Sequence, residues 1–141
     1  LIPGLKAAKK IDKALDKAAD VADAAGSLET LSRRANEVHN VLDPVARSQR
    51  TTAALDSTAG RVIAGGGRDL SPAQRGALMP GEIPGRLPKA HAEVTAIETA
   101  RQHGGVPQAL VVTRPICPAC QAAIVQSGGT LVNPTTAVWP K

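Results

Sequence analysis

A chain of 141 residues, 43% hydrophobic and 21% charged, is long enough for one domain with a real core plus an appendage, and too short for two comfortable domains. Phe and Tyr are absent and Trp139 is the single Trp, which excludes an aromatic core; no apolar run approaches the roughly eighteen residues of a membrane-spanning helix, so no membrane partner is expected. The formal charge of +5 is uneven, with seven basic and seven acidic groups in residues 1–45 but ten basic against five acidic in 46–141. A basic surface there suits a polyanion such as nucleic acid, with ordinary solubility charge as the alternative.

The chain begins at Leu1 rather than Met, and the expectation is a piece of a longer polypeptide, with residues 1–45 an appendage or linker to a domain over 46–141. In "LKAAKKIDKALDKAADVADAAG" apolar residues recur three or four apart, at Leu5, Ala8, Ile11, Leu15, Ala18, Ala22 and Ala25, the period of an amphipathic helix. Gly26 stops it. Ser27 caps a second helix carrying Leu28, Leu31, Ala35, Val38 and Leu42, which Asp43-Pro44 ends. The stripe of this helical hairpin is read as packing on a neighbour.

"TTAALD" and "RVIAGG", separated by "STAG", read as an antiparallel strand pair. In "SPAQRGAL" Ser71 caps a short helix, Pro72 takes its first turn and Gln74 reaches back. The triple glycine Gly65-Gly66-Gly67 lacks a following Gly-Lys-Ser/Thr and reads as a turn, not a phosphate loop. "MPGEIPGRLPKA" is an irregular loop. "HAEVTAIETARQH" is a helix ended by Gly104-Gly105, "QALVVT" a strand buried on both faces, "CPACQAAIVQS" a helix ended by Gly128-Gly129, and "TLVN" the start of another strand. The order is a helical hairpin followed by β-β-α-α-β-α-β, an α/β sandwich.

Cys117 and Cys120 are the entire cysteine stock, at the spacing of a metal knuckle or a redox pair. They sit where a strand turns into a helix, and His91 and Glu93 sit at the start of another. If the two helix starts share one sheet edge, one imidazole and two thiolates converge, and three protein ligands with an open position is the catalytic form of zinc. His103 lies about 18 Å down the helix from His91 at 1.5 Å per residue and cannot share the ion; it reads as a polar residue near the helix C-terminus. His39 reads as a surface residue of the appendage. Residues two apart do not face each other along a helix body. At a first turn, however, both project past the end, so His91 reaches the ion, Glu93 lies beside its water and Ala92 leaves room for a substrate.

"HAE" with "PICPAC" resembles the zinc-dependent cytidine deaminase superfamily, whose pattern is His-x-Glu followed by Pro-Cys-x-x-Cys. That resemblance covers roughly residues 50–141 and implies an α/β/α sandwich in which His91, Cys117 and Cys120 hold Zn2+. It implies that Glu93 is the proton shuttle, protonating ring N3 while hydroxide attacks C4 and then giving a proton to departing ammonia. One departure is that Ile116 separates Pro115 from Cys117, shifting the backbone that meets the exocyclic amine near Thr113. The variant looks like bacterial toxin deaminases, in which such a domain ends a long secreted polypeptide and acts in the cytoplasm of the target cell; the appendage is a weaker match to the linker upstream.

With almost no aromatics to sandwich a free base, a polynucleotide gripped through its phosphates is the expected substrate. Arg68, Arg86, Lys89 and Arg114 lie in loops near the metal and are candidates for that grip, beside the alternative of solvated surface charge. Trp139 either stacks on a base or anchors the last strand. Extruding a base from a duplex costs free energy, which favours single-stranded DNA and conversion of cytosine to uracil. A cognate immunity protein, acidic by charge complementarity, is expected to cover the basic face. A free nucleoside or nucleotide deaminase, a thiol oxidoreductase and a non-enzymatic nucleic-acid-binding module are the competing readings.

Overall fold

The computed structural model describes residues 28–66, 70–86 and 90–140. The expected first helix of the hairpin, with Gly26 and Ser27, falls outside the described residues, as do Gly67, Arg68 and Lys89. A six-stranded mixed sheet of order β3-β2-β1-β4-β6-β5 organises the protein. Its strands are β1 (Thr52–Ser57), β2 (Gly60–Gly65), β3 (Ile83–Pro84), β4 (Pro107–Val112), β5 (Thr130–Asn133) and β6 (Thr136–Val138). Helix α1 runs through residues 28–40, followed by α2 (Pro44–Gln49), α3 (Pro72–Gly76), α4 (Ala92–Gln102) and α5 (Pro118–Gln126).

Alternation along the central strands builds two cores, because successive side chains of a strand point to opposite faces. Ala53 and Leu55 of β1, Val62 and Ala64 of β2, and Leu110 and Val112 of β4 face Ala92, Ala96 and Ala100 of α4 and Ile124 of α5. The intervening Ala54, Ile63, Ala109 and Val111 face Leu31, Ala35 and Val38 of α1, with Leu70 between. The result is an α/β/α sandwich. Alanine at every fourth position of α4, each fully buried, gives that helix a flat face toward the sheet.

Residues 28–42, assigned by sequence to an appendage, belong to the sandwich. Its second apolar face has to be covered, and the stripe of α1 covers it. A domain boundary near residue 45 would therefore cut through a core. His39, read as a surface residue, is only 8% exposed. Asp43-Pro44 ends α1 as expected but also starts α2, since Asp43 accepts the Ala46 N–H at 2.9 Å and Pro44 occupies the first turn.

The β1–β2 pair is antiparallel, with Ser57 opposite Gly60, and α3 carries the full reciprocal cap between Ser71 and Gln74. Two short strands escape the sequence pattern. β3 is two residues of the proline-rich loop lying parallel to β2, continued by the Gly85 N–H donating to the Ile63 carbonyl at 2.8 Å. β6 is three residues that turn back and slot between β4 and β5.

Both glycine pairs end their helices in the same way. Gly104 and Gly128 take φ of +76° and +96° and donate to the carbonyls of Arg101 and Val125, while Gly105 and Gly129 donate to Ala100 and Ile124 at 2.8 Å, the double bond of a Schellman ending. The second glycine of each pair is needed for space. A Cβ on Gly129 would stand 2.6 Å from Ile124 Cγ2 and 2.8 Å from the Trp139 ring. Gly129→Ala is therefore expected to destabilise the fold by about 1–3 kcal/mol through overpacking, read as a lower denaturant midpoint at unchanged m-value.

Candidate metal centre

The N-cap residues of α4 and α5 are His91 and Cys117, and neither caps its own helix. Both backbones are extended (φ −68°, ψ 156° and φ −70°, ψ 160°) with no side-chain cap hydrogen bond. Instead the side chains meet across the gap between the helix starts, His91 Nδ1 lying 3.4 Å from Cys117 Sγ. Cys120 is the third helical residue of α5, and N-cap and third-position side chains are natural neighbours. Glu93 lies in the first turn of α4. The ligand atoms of His91, Glu93, Cys117 and Cys120 all lie within 4.8 Å of one another.

The sheet brings these two helix starts together. β4 leads directly into residues 113–117, where the Thr113 N–H donates to the Thr52 carbonyl at 3.0 Å and the Ile116 N–H to the Pro134 carbonyl at 2.8 Å. Ile116, the residue that interrupts the Pro-Cys pattern, is 3% exposed and belongs to the α4/α5 core. Its buried side chain anchors the turn that presents Cys117.

The chemistry of the donor set fits a metal ion. With Zn–S near 2.3 Å and Zn–N near 2.0–2.1 Å, an imidazole nitrogen and a thiolate on one tetrahedral zinc stand about 3.5 Å apart, close to the His91–Cys117 separation. Cys120 is 2% exposed and Glu93 4%. Burial pushes the Cys120 thiol well above its ordinary value, and hydrogen bonds and negative charge from Cys117 and Glu93 push the same way. Two sulfurs and a carboxylate crowded together, with Cys120 and Glu93 buried and Cys117 half-buried, repel one another as anions and favour a compensating cation. These four residues could together hold a metal ion, each offering one ligand atom.

The centre lies on a cleft of about 420 Å³, within the range of about 300–1,000 Å³ common for small-molecule sites. His91, Ala92, Glu93 and Cys117 line it with Arg114 and Pro115, and Gln49, Thr51 and Gly66 complete it. Ala92 and Arg114, expected at the site from the sequence, are on its wall. Gln49, Thr51 and Gly66 were not among those expected there; Gly66 lies against the start of α4, where a Cβ on it would stand in ordinary contact, 3.4 Å from the Ala92 nitrogen.

Other candidates lie elsewhere. The Thr113 hydroxyl accepts the Thr52 N–H at 3.0 Å and so splices β4 to β1. Arg86 is exposed beyond β3, where its N–H meets the Thr99 hydroxyl at 3.4 Å, and it is not among the residues lining the cleft. Trp139 is 9% exposed within the α4/α5 core, its indole N–H donating to the Ser127 hydroxyl at 2.9 Å. It is the anchor of the last strand, not a residue of this cleft. His103 is the exposed C-cap of α4, as expected. No described helix is long and apolar enough to cross a membrane. Comparison with protein-family models, curated proteins and solved structures finds no match for this chain.

Proposed function

We propose that the protein is a zinc-dependent cytosine deaminase acting on nucleic acid, single-stranded DNA in preference to RNA or duplex DNA. The observation that carries this reading is the convergence of His91, Glu93, Cys117 and Cys120 within 4.8 Å at two helix starts opening on one cleft. His91, Cys117 and Cys120 would hold the ion. Zinc, when bound, supplies Lewis acidity that lowers the pKa of water from about 16 to about 7.

Glu93 performs the proton traffic. Its carboxylate takes a proton from the attacking water, passes it to ring N3, and later delivers a proton to the departing amine, so that cytosine and water become uracil and ammonia. The small side chain of Ala92 leaves the base room beside these groups. Arg114, partly exposed on the lining, supplies a cation for a phosphate next to the target base, in keeping with the basic excess of residues 46–141. In the toxin reading the domain ends a secreted polypeptide, acts in the target cell's cytoplasm and is held in check in its producer by an immunity protein.

The test is to measure uracil formed in a single-stranded deoxycytidine oligonucleotide beside ammonia released from free cytidine, with elemental analysis of the same preparation. The expected result is one zinc per chain and activity on the oligonucleotide; Cys117→Ser loses both. Activity on the monomer alone would replace the polynucleotide reading with a nucleoside deaminase. Full activity without any metal would end the proposal.

A further inference from the structure

Behind the cleft wall lies a buried polar chain that the proposed chemistry does not use. Gln74, 2% exposed, accepts the Ser71 N–H through Oε1 at 3.1 Å, which leaves its amide nitrogen to donate to the Thr52 hydroxyl at 3.2 Å. That hydroxyl meets His39 Nδ1 at 3.0 Å, and His39 Nε2 meets the Arg47 carbonyl at 2.9 Å. The donors run in one direction. Thr52 receives from Gln74 and gives its proton to Nδ1, so the ring carries its hydrogen on Nε2 and donates to Arg47.

The two ends of His39 grip positions 47 and 52, and between them lie Gln49 and Thr51, both on the cleft. Helix α2 contributes no buried residue to either core, so apolar packing does not hold this segment down. It is held by the His39 bond at Arg47 and, at its other end, by the start of β1. A satisfied buried network of this kind rigidifies what it touches.

We infer that His39 is a positioning residue, fixing the segment that carries Gln49 and Thr51 so that the cleft wall stands ready for substrate. It acts through this wall and touches neither the metal ligands nor Glu93. The inference rests on reading the cleft as the substrate site, and its consequence is a split: losing the tether weakens substrate capture and leaves the chemical step alone.

The experiment uses the full chain and two readouts. His39→Leu keeps the buried volume and removes both bonds; His39→Gln retains a donor long enough for the Arg47 carbonyl. Amide hydrogen exchange is expected to quicken over residues 44–51 in His39→Leu, without change at the starts of α4 and α5, and to return toward the parent rate in His39→Gln. On the single-stranded deoxycytidine oligonucleotide, KM is expected to rise about tenfold with kcat within about twofold, the scale of one buried hydrogen bond. Unchanged exchange over 44–51 would overturn the tether whether or not the protein deaminates anything. Faster exchange with an unchanged KM, or an equal fall in kcat, would overturn the role in substrate capture. Should His39→Leu not fold, His39→Asn, which reaches Thr52 but falls short of the Arg47 carbonyl, decides by the same two readouts.

Discussion

Glu93→Gln is expected to lower uracil formation by about 10²–10⁴-fold, the range for losing a positioned general acid–base group, while zinc content stays at the parent level. The amide has the shape of the carboxylate and cannot carry a proton between water, ring and leaving group. It is not one of the nitrogen and sulfur donors, so the ion should remain. Losing a negative charge from the first turn of α4 costs about 0.3–1 kcal/mol of stability, too little to unfold a domain and mimic a catalytic defect. Steady-state turnover on the oligonucleotide with elemental analysis measures both halves. A thiol oxidoreductase or a passive nucleic-acid-binding module would be indifferent to this change, so an undiminished phenotype in Glu93→Gln would favour them.

Arg34→Ala is expected to lower unfolding free energy by about 3–5 kcal/mol, the scale for stranding one partner of a buried ion pair. The Arg34 guanidinium donates through Nε and Nη2 to the two Glu82 oxygens at 2.9 and 2.6 Å, and through Nη2 to the Ala77 carbonyl at 2.9 Å. The side chains are only 6% and 5% exposed. Without Arg34 the carboxylate keeps the Met79 N–H at 2.8 Å and Arg61 at 3.9 Å, and α1 loses its clamp on the loop before β3. Replacing both partners, Arg34→Met with Glu82→Leu, is expected to recover most of the loss, because no charge is then left buried. Denaturant titration of the three proteins provides the comparison.

The same pair sets a pH dependence. Burial raises the Glu82 carboxyl, but hydrogen bonds from Arg34 and Met79 and the charges of Arg34 and Arg61 outweigh it and leave the group below its ordinary value. A carboxyl that binds its proton less tightly folded than unfolded stabilises the fold above the unfolded value, about 4.3. That stability is lost as pH falls through the folded value. As pH falls below about 4.3 the parent should therefore lose stability faster than the double variant.

Much of this protein was legible in the sequence because the responsible interactions are local. Ser71 and Gln74 are three residues apart, the glycine pairs follow their own helices, and the unbroken apolar run of β4 already states that both faces are covered. The members of the His91, Glu93, Cys117 and Cys120 cluster were legible for the same reason, since helix starts and a Cys-x-x-Cys spacing place two side chains at a time. What the spacing could not supply was their meeting across 26 residues, which depends on α4 and α5 starting at the same end of the sheet.

The local pattern determined the alternation of helices and strands and the four residues of the cluster at the two helix starts. Tertiary structure decided which partner each exposed stripe would find. Leu31, Ala35 and Val38 announce a buried face, but only the uncovered side of β1, β2 and β4 says that α1 completes the sandwich. Gln49, Thr51, Gly66 and His39 carry no motif at all. Their neighbours are supplied by antiparallel pairing and helix docking between distant segments, and such contacts are selected by whole-molecule packing that leaves no periodic trace along the chain.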